Sequence, residues 1–378
     1  MQHPDYVVIM AGGIGSRFWP ISRTDYPKQF LDILGCGETL IQQTFRRFER
    51  IVPAENIYVV TADEYVPIVM EQLPQLPKGN ILGEPMRRNT APCVAYICFK
   101  LLQQSPDASL IVSPADHYIQ DDEAFAAVCR QGLRYVRDRP ALVTLGIRPL
   151  YPSTGYGYIQ KASNETGENV YPVKRFIEKP YLELAKTFIQ SDDFFWNAGI
   201  FIWKVKDILD AFKKYLPEIY DRFNGIKQFL NTPAEKYYVD QVYPGCTDIS
   251  IDFGIMERSD QVYVIPASFE WSDLGTWSSA WENMQKDYMR NAISGSNVIV
   301  IDATRCVVHA SAGRLVVLQG LDDFIVADTA DVLLICRKEK EQDIKLYVAE
   351  VKKTNGDQFL YTQGFEAPVS AASAQEML

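Results

Sequence analysis

Between residues 6 and 147 the chain alternates short β-branched runs with longer stretches whose apolar residues recur at three- and four-residue spacing. The runs at 6–11, 57–61, 80–84, 109–113 and 141–146 predict strands, and the segments 38–49, 64–73, 90–104 and 123–137 predict amphipathic helices. Strand and helix in strict alternation is the pattern of βαβ units, so the fold class is α/β with a mainly parallel sheet flanked by helices. Such a sheet collects ligands at the carboxyl ends of its strands.

After Pro149 the pattern turns aromatic, with extended segments at 155–160, 170–178 and 194–203 and a helix from 206 to 212 running on towards Phe223. No low-complexity linker separates these from what precedes, so they are expected to extend the same sheet. A second change falls near Asn291. From there short apolar runs at 298–301, 306–309, 315–318, 324–327 and 332–336 recur every eight to ten residues, as in a small β-helix-like coil. Two domains are expected, residues 1–290 and 291–378, the second all-β with a closing helix near 339–351 and a loosely ordered tail. The coil is expected to support assembly and to carry no residue of the site.

Composition narrows the function classes. With 38 Lys and Arg against 48 Asp and Glu the net charge is −10, which argues against a nucleic-acid or anionic-membrane surface. Any phosphate must then be held by a local cationic cluster. The N-terminus has no basic stretch followed by a long apolar run, so a cytoplasmic location is expected. Seven scattered cysteines with no C-x-x-C pair read as reduced, mostly buried side chains. Only three histidines are present and none pair at ligand spacing, which sets a histidine zinc site aside.

The strongest site signal follows the first strand: Ala11-Gly12-Gly13-Ile14-Gly15-Ser16-Arg17, then Pro20, Arg23 and Pro27-Lys28-Gln29-Phe30. Glycines let the backbone approach phosphate oxygens and aim successive N–H groups at them. Neither common phosphate motif fits: the Walker pattern is absent, and Phe18 stands where a dinucleotide fingerprint needs its third glycine. Glycines alone would make only a tight turn. Arg17 and Lys28 add two cations able to neutralise a leaving pyrophosphate. A-G-G-x-G-x-R followed by P-K-Q resembles the signature of the sugar-phosphate nucleotidyltransferases, and the form with Trp19-Pro20 and Ser22-Arg23 is similar to their mannose-1-phosphate guanylyltransferase branch. The resemblance implies a Rossmann-like, GT-A-like nucleotidyltransferase domain.

Further blocks carry the resemblance on. Glu84-Pro85-Met86-Arg87-Arg88-Asn89-Thr90-Ala91-Pro92 opens a helix, and Asn89 or Thr90 serves as its N-cap. The run also resembles the guanine-recognising segment of that branch, where Glu84 would accept from the two donors of guanine. Ser113-Pro114-Ala115-Asp116-His117 ends the fourth strand, and Trp271-Ser272-Asp273-Leu274-Gly275-Thr276-Trp277 resembles a second metal-binding segment. Asp116 and Asp273 are together assigned to Mg²⁺, which one or two carboxylates plus phosphate oxygens usually hold. On the sugar side, Gly155, Tyr156, Glu178, Asn197 and Asp273 are implied against the hexose and Lys179 on its phosphate, although large aromatics such as Tyr156 and Trp196 more often pack than stack. Ser250-Ile251-Asp252-Phe253-Gly254-Ile255-Met256-Glu257 matches as well, with Asp252 and Glu257 left outside the catalytic set.

The nucleotide set is thus Ala11, Gly12, Gly13, Gly15, Ser16, Arg17, Lys28, Glu84, Asn89, Thr90 and Asp116, with Arg17, Lys28 and Lys179 as the catalytic cations. What the resemblance implies is transfer of GMP from GTP to mannose 1-phosphate, giving GDP-mannose and pyrophosphate, by a cytoplasmic homodimer that uses Mg²⁺. Neither nucleic acid nor membrane is an expected partner. The chain leaves no room for the cupin-like isomerase domain that some longer relatives append, so a single activity is expected. Rival readings are a nucleotidyltransferase for glucose 1-phosphate with UTP or dTTP, and a silent nucleotide-sugar-binding regulator. A metal-dependent glycosyltransferase would want an Asp-x-Asp triplet, which the chain lacks.

Overall fold

The structure, a computed structural model, describes residues 4–166 and 168–362. It folds into two compact units that do not follow chain order: one runs to Gly12 and resumes over Leu40–Asp273, and the other comprises Gly13–Thr39 and the chain from Leu274 onward.

The first unit is built on one nine-stranded sheet. Across it run Ile81–Glu84, Ile57–Ala62, Asp5–Met10, Ser109–Pro114, Phe194–Lys204, Leu142–Ile147, Val262–Ala267, Tyr171–Ile177 and Tyr158–Lys161. Only Phe194–Lys204 and Tyr171–Ile177 oppose the common direction, so the sheet is mixed and mainly parallel. The long aromatic strand does more than extend the sheet at an edge: it is inserted at the centre, pairing antiparallel with both Ser109–Pro114 and Leu142–Ile147. Strands covered on both faces read as continuous apolar runs, and Ile57–Ala62 and Leu142–Ile147 are buried at every position.

Helix Thr90–Gln104 is buried over most of its circumference because it lies between the sheet and helices Val205–Tyr215 and Pro217–Ile226. Those two helices replace the single one expected from 206 to 223, since Pro217 cannot continue a helix but suits the first turn of the next. Lys100, a charge on the buried helix, is matched by Glu235 at 2.6 Å. Helix Asp122–Arg137 is capped by Asp121, whose side chain accepts from the backbone of Glu123 and Ala124.

In the second unit Ala292–Ser294, Val307–His309 and Phe324–Asp328 pair in parallel, and Leu333–Arg337 closes the layer antiparallel. Val298–Ile301 and Val316–Gln319 form a separate parallel pair. Ala292 pairs with Val307, 15 residues on, and Val307 with Ile325, 18 residues on. The eight-to-ten-residue recurrence in the sequence is therefore half a turn of a β-helix-like coil, with alternate strands on alternate layers. Cys306, Val308, Leu318 and Val326 fill its interior.

Segment 13–39 belongs to this second unit, where Trp19 Nε1 donates to the Phe359 carbonyl at 3.0 Å and Thr24 N to that of Leu360 at 2.9 Å. Arg23, buried, donates from Nη2 to Asp331 Oδ1 at 2.6 Å. The closing helix is Ile344–Asn355. Beyond it the chain, expected to be loosely ordered, is held as far as Thr362, whose backbone N–H donates to Asp25 at 2.9 Å. The rest of the expected tail, residues 363–378, lies outside the described residues. Among the described residues no helix is long and apolar enough to cross a membrane. All seven cysteines are free thiols, five of them buried.

Candidate functional site

The parallel strands of the first unit bring Ala11-Gly12, Glu84 and Asp116 to one edge of the sheet, at the carboxyl ends of Asp5–Met10, Ile81–Glu84 and Ser109–Pro114. Ala11 is pinned there on both sides: its N–H donates to the Val60 carbonyl and its carbonyl accepts from Thr61 Oγ1 at 2.7 Å. Glu84 is buried and accepts from the Tyr243 hydroxyl. Burial, and then the charge of Asp63, push its carboxyl up to about 7 against the lowering effect of that hydrogen bond.

Asn89 caps helix Thr90–Gln104 from a left-handed φ of 63°, its side chain accepting from the Thr90 N–H. The Thr90 hydroxyl faces elsewhere and accepts from Ile251 N at 2.8 Å, while Ala91 N donates to the Ile249 carbonyl. Residues 249–252 are thus tied to the Glu84–Pro92 block.

A two-stranded ladder links the two carboxylate segments. Trp271 pairs with Ile119 and Ser272 with Tyr118, so the segment carrying Asp273 and the segment carrying Asp116 and His117 are joined by this ladder. Trp271 Nε1 donates to His117 Nδ1 at 3.2 Å, which makes Nδ1 the acceptor nitrogen of the imidazole. Tyr156 OH donates to Asp273 Oδ1 at 2.9 Å, and its ring packs edge-on against Trp196 and Trp271. Tyr156 therefore both packs and positions a carboxylate. The carboxylates of Asp116 and Asp273 are hard oxygen donors of the kind Mg²⁺ takes, and the described residues offer no cluster of three or more His, Cys, Asp or Glu for a metal with denser protein ligation.

The expected sugar side also assembles within this unit. Asn197 N donates to the Gly157 carbonyl at 2.8 Å, and Asn197 Nδ2 to Asp252 Oδ1 at 2.8 Å. A Cβ on Gly157 would lie 2.5 Å from Glu178 Oε2 and 3.4 Å from Asn197 Cβ, so a side chain here would displace the Glu178 carboxylate. Gly157, more than the exposed Gly155, is the glycine at their contact; Gly155 N instead closes a turn onto Ser153 Oγ. Lys179, exposed and with φ of 46°, pairs with Glu178 Oε1 at 2.6 Å. Burial, then the nearby Glu178 charge, raise the Asp252 carboxyl to about 6. Asp252 is the residue that sequence reasoning set aside. Its signal was available in the S-I-D-F-G-I-M-E block, but only the fold places it beside Asn197.

The rest of the glycine loop lies in the second unit, the chain crossing over between Gly12 and Gly13. Gly15 has φ of 64°, and a Cβ there would meet Lys28 Cβ at 2.4 Å. The short turn Ser16–Phe18 follows, from which Arg17 Nε donates to Gln342 Oε1 at 3.0 Å. Lys28 is 4% exposed, and its Nζ donates to the Leu274 carbonyl at 3.0 Å. Both expected phosphate cations are thus fixed by residues from the C-terminal part of the chain. The coil, expected to support assembly and to carry no residue of the site, shares a compact unit with them.

The family model described as Nucleotidyl transferase matches residues 6–290, and that of the MannoseP isomerase/GMP-like beta-helix domain matches 296–351. The mannose-1-phosphate guanylyltransferase of Salmonella montevideo is 38% identical over 92% of this chain and 74% of its own length. That of Escherichia coli is 38% identical over 92% and 73%. A crystal structure from Thermus thermophilus, named mannose-1-phosphate geranyltransferase, is 30% identical with a TM-score of 0.83, covering 92% of this chain and 99% of that one. On this likeness in sequence and fold, the chain belongs to the nucleotidyl transferase family, in its mannose-1-phosphate guanylyltransferase group.

Proposed function

We propose that the chain transfers GMP from GTP to α-D-mannose 1-phosphate, forming GDP-mannose and pyrophosphate. The observation that carries this reading is that, within one unit, residues 249–252 tie the Glu84–Pro92 block to Asn197 through Asp252; in this reading Glu84 faces the base, and Glu178, Asn197 and Asp252 lie on the sugar side. Guanine differs from uracil and thymine in offering two adjacent N–H donors, which a carboxylate accepts as a pair. A Gln would satisfy the other bases.

An oxygen of the sugar phosphate attacks the α-phosphorus in line, and the pyrophosphate oxygen leaves. The nucleophile is already an anion, so no general base and no covalent enzyme intermediate are needed. The protein orients the two phosphates and neutralises charge as it moves onto the leaving group. In this reading Ala11, Gly12, Gly13, Gly15 and Ser16 supply the loop backbone, Arg17 and Lys28 face the β- and γ-phosphates, and Lys179 holds the sugar phosphate. Asp116 and Asp273 would hold Mg²⁺, which when bound supplies further charge neutralisation on the phosphates. Gly157, Glu178 and Asn197 face the hexose, and Tyr156 keeps Asp273 oriented. We further read the enzyme as a cytoplasmic homodimer, to be checked by cell fractionation and light scattering.

The test is product identification. Mass spectrometry of a reaction with GTP, mannose 1-phosphate and Mg²⁺ is expected to find GDP-mannose and pyrophosphate in equal amounts. GTP hydrolysis alone, or conversion of the sugar phosphate without nucleotide, would reject the reading.

A further inference from the structure

Glu84 ends the edge strand Ile81–Glu84 and is buried, yet among the described residues no lysine or arginine pairs with it. Its partner is the hydroxyl of Tyr243, a fully buried side chain in the turn Tyr243–Gly245 whose ring stands edge-on to Phe223 at 6.1 Å. The other carboxylate oxygen faces the loop: a Cβ on Gly12 would lie 3.6 Å from Glu84 Oε2. The remaining titratable neighbours are Asp63, packed under Gly83, and the Cys93 thiol on helix Thr90–Gln104. Neither stabilises a negative charge on Glu84. Packing does not require an acid here, since a glutamine would accept from Tyr243 equally well at the same volume. What only an ionised carboxylate does is accept two N–H donors side by side.

We propose that Tyr243 is a specificity-determining positioning residue: by donating to Oε1 it fixes the plane of the Glu84 carboxylate and favours its charged form, so that it takes the N1–H and N2–H donors of guanine. This rests on the reading of Glu84 as the base-recognising residue. A carboxyl that titrates near neutrality gives the device a consequence. Ionised, it presents two acceptors and suits guanine; protonated, it presents one donor and one acceptor, which suits the N1 acceptor and N6–H donor of adenine. GTP binding therefore expels a proton from Glu84, and preference for GTP over ATP narrows as pH falls below about 7.

Tyr243→Phe keeps the ring and removes the hydroxyl. With sugar phosphate saturating, kcat/KM for GTP and for ATP are measured from pH 5.5 to 9. The variant should lose about 10–100-fold of its GTP preference at pH 7.5, the worth of one hydrogen bond to a charged group, and the midpoint at which preference fades should move to higher pH. KM for the sugar phosphate should stay within twofold, roughly. Calorimetry of GTP binding to the unaltered enzyme, in buffers of different ionisation heat near pH 6.5, should register proton release that ATP does not cause; this needs no variant. An unchanged preference and midpoint in Tyr243→Phe, with preference lost in Glu84→Gln, overturns the role of Tyr243 and leaves the base reading standing. Unchanged preference in Glu84→Gln, or GTP binding without proton release, removes Glu84 itself from base recognition.

Discussion

Asn197 Nδ2 donates to Asp252 Oδ1 at 2.8 Å, while Asn197 Oδ1 accepts from Thr144 Oγ1 at 3.0 Å and from Gly199 N at 3.1 Å. Three partners fix the amide in one orientation; on the proposed reading Asn197 presents it to the sugar and Asp252 acts through it. Asp252→Ala releases the amide and should raise KM for mannose 1-phosphate about 10-fold, with KM for GTP little changed. Equal effects on both substrates would contradict a role confined to the sugar.

The same aspartate sets a pH dependence. Its folded pKa, about 6, lies above the ordinary 3.8, so the folded state binds a proton that the unfolded chain has released. That contribution is fully present below 3.8 and is lost as pH rises through 6. Asp252→Asn should therefore match the unaltered protein in Tm near pH 4 and exceed it near pH 8. A Tm difference that does not change with pH would contradict the shift.

Arg23 and Asp331 pair at 2.6 Å, each 6% exposed, and tie segment 13–39 to the hairpin of the C-terminal coil. Breaking a buried pair by removing one partner strands the other charge and costs about 3–5 kcal/mol. Arg23→Ala should lower Tm by several degrees, and the double variant Arg23→Met with Asp331→Leu should recover part of the loss. A Tm unaltered in the single variant would mean that the pair is solvated in solution.

Deleting residues after Asn291 removes Asp331, Gln342 and Phe359, the partners of Arg23, Arg17 and Trp19. The truncated enzyme should lose activity together with protease resistance in segment 13–39. Retention of kcat would show that the loop holds its shape without the coil.

Arg17→Ala should reduce kcat by ~10²-fold or more, the scale for losing a preorganised charge stabiliser. Gln342→Ala, which frees Arg17 Nε without removing the charge, should cost far less. Comparable losses would make the Arg17–Gln342 contact structural.

Much of this was legible in the sequence because local chemistry and fold agree. The alternation up to residue 147 gave the parallel strands, and Pro217 announced a helix start that periodicity alone ran through. Val262–Ala267 escaped because Pro266 and a short length hide a strand that becomes interior only through pairing with Leu142–Ile147. The blocks at Gly12, Glu84, Asp116 and Asp273 were visible as motifs. Which glycine meets Glu178, what orients Asp273 and Asn197, and why a tyrosine 159 positions away touches Glu84 depend on side chains far apart in sequence. Membership of segment 13–39 in the C-terminal unit was likewise invisible, since nothing local in Arg23 names Asp331.

The most direct measurement is pyrophosphate release under Mg²⁺ for GTP, ATP, UTP and dTTP, each with mannose 1-phosphate and with glucose 1-phosphate. The account predicts that kcat/KM for GTP exceeds that for UTP and dTTP on the order of 10²-fold or more, because an unpaired buried carboxylate rejects bases lacking the donor pair. Mannose 1-phosphate should be the preferred acceptor. Equal use of UTP or dTTP, or a preference for glucose 1-phosphate, would contradict it.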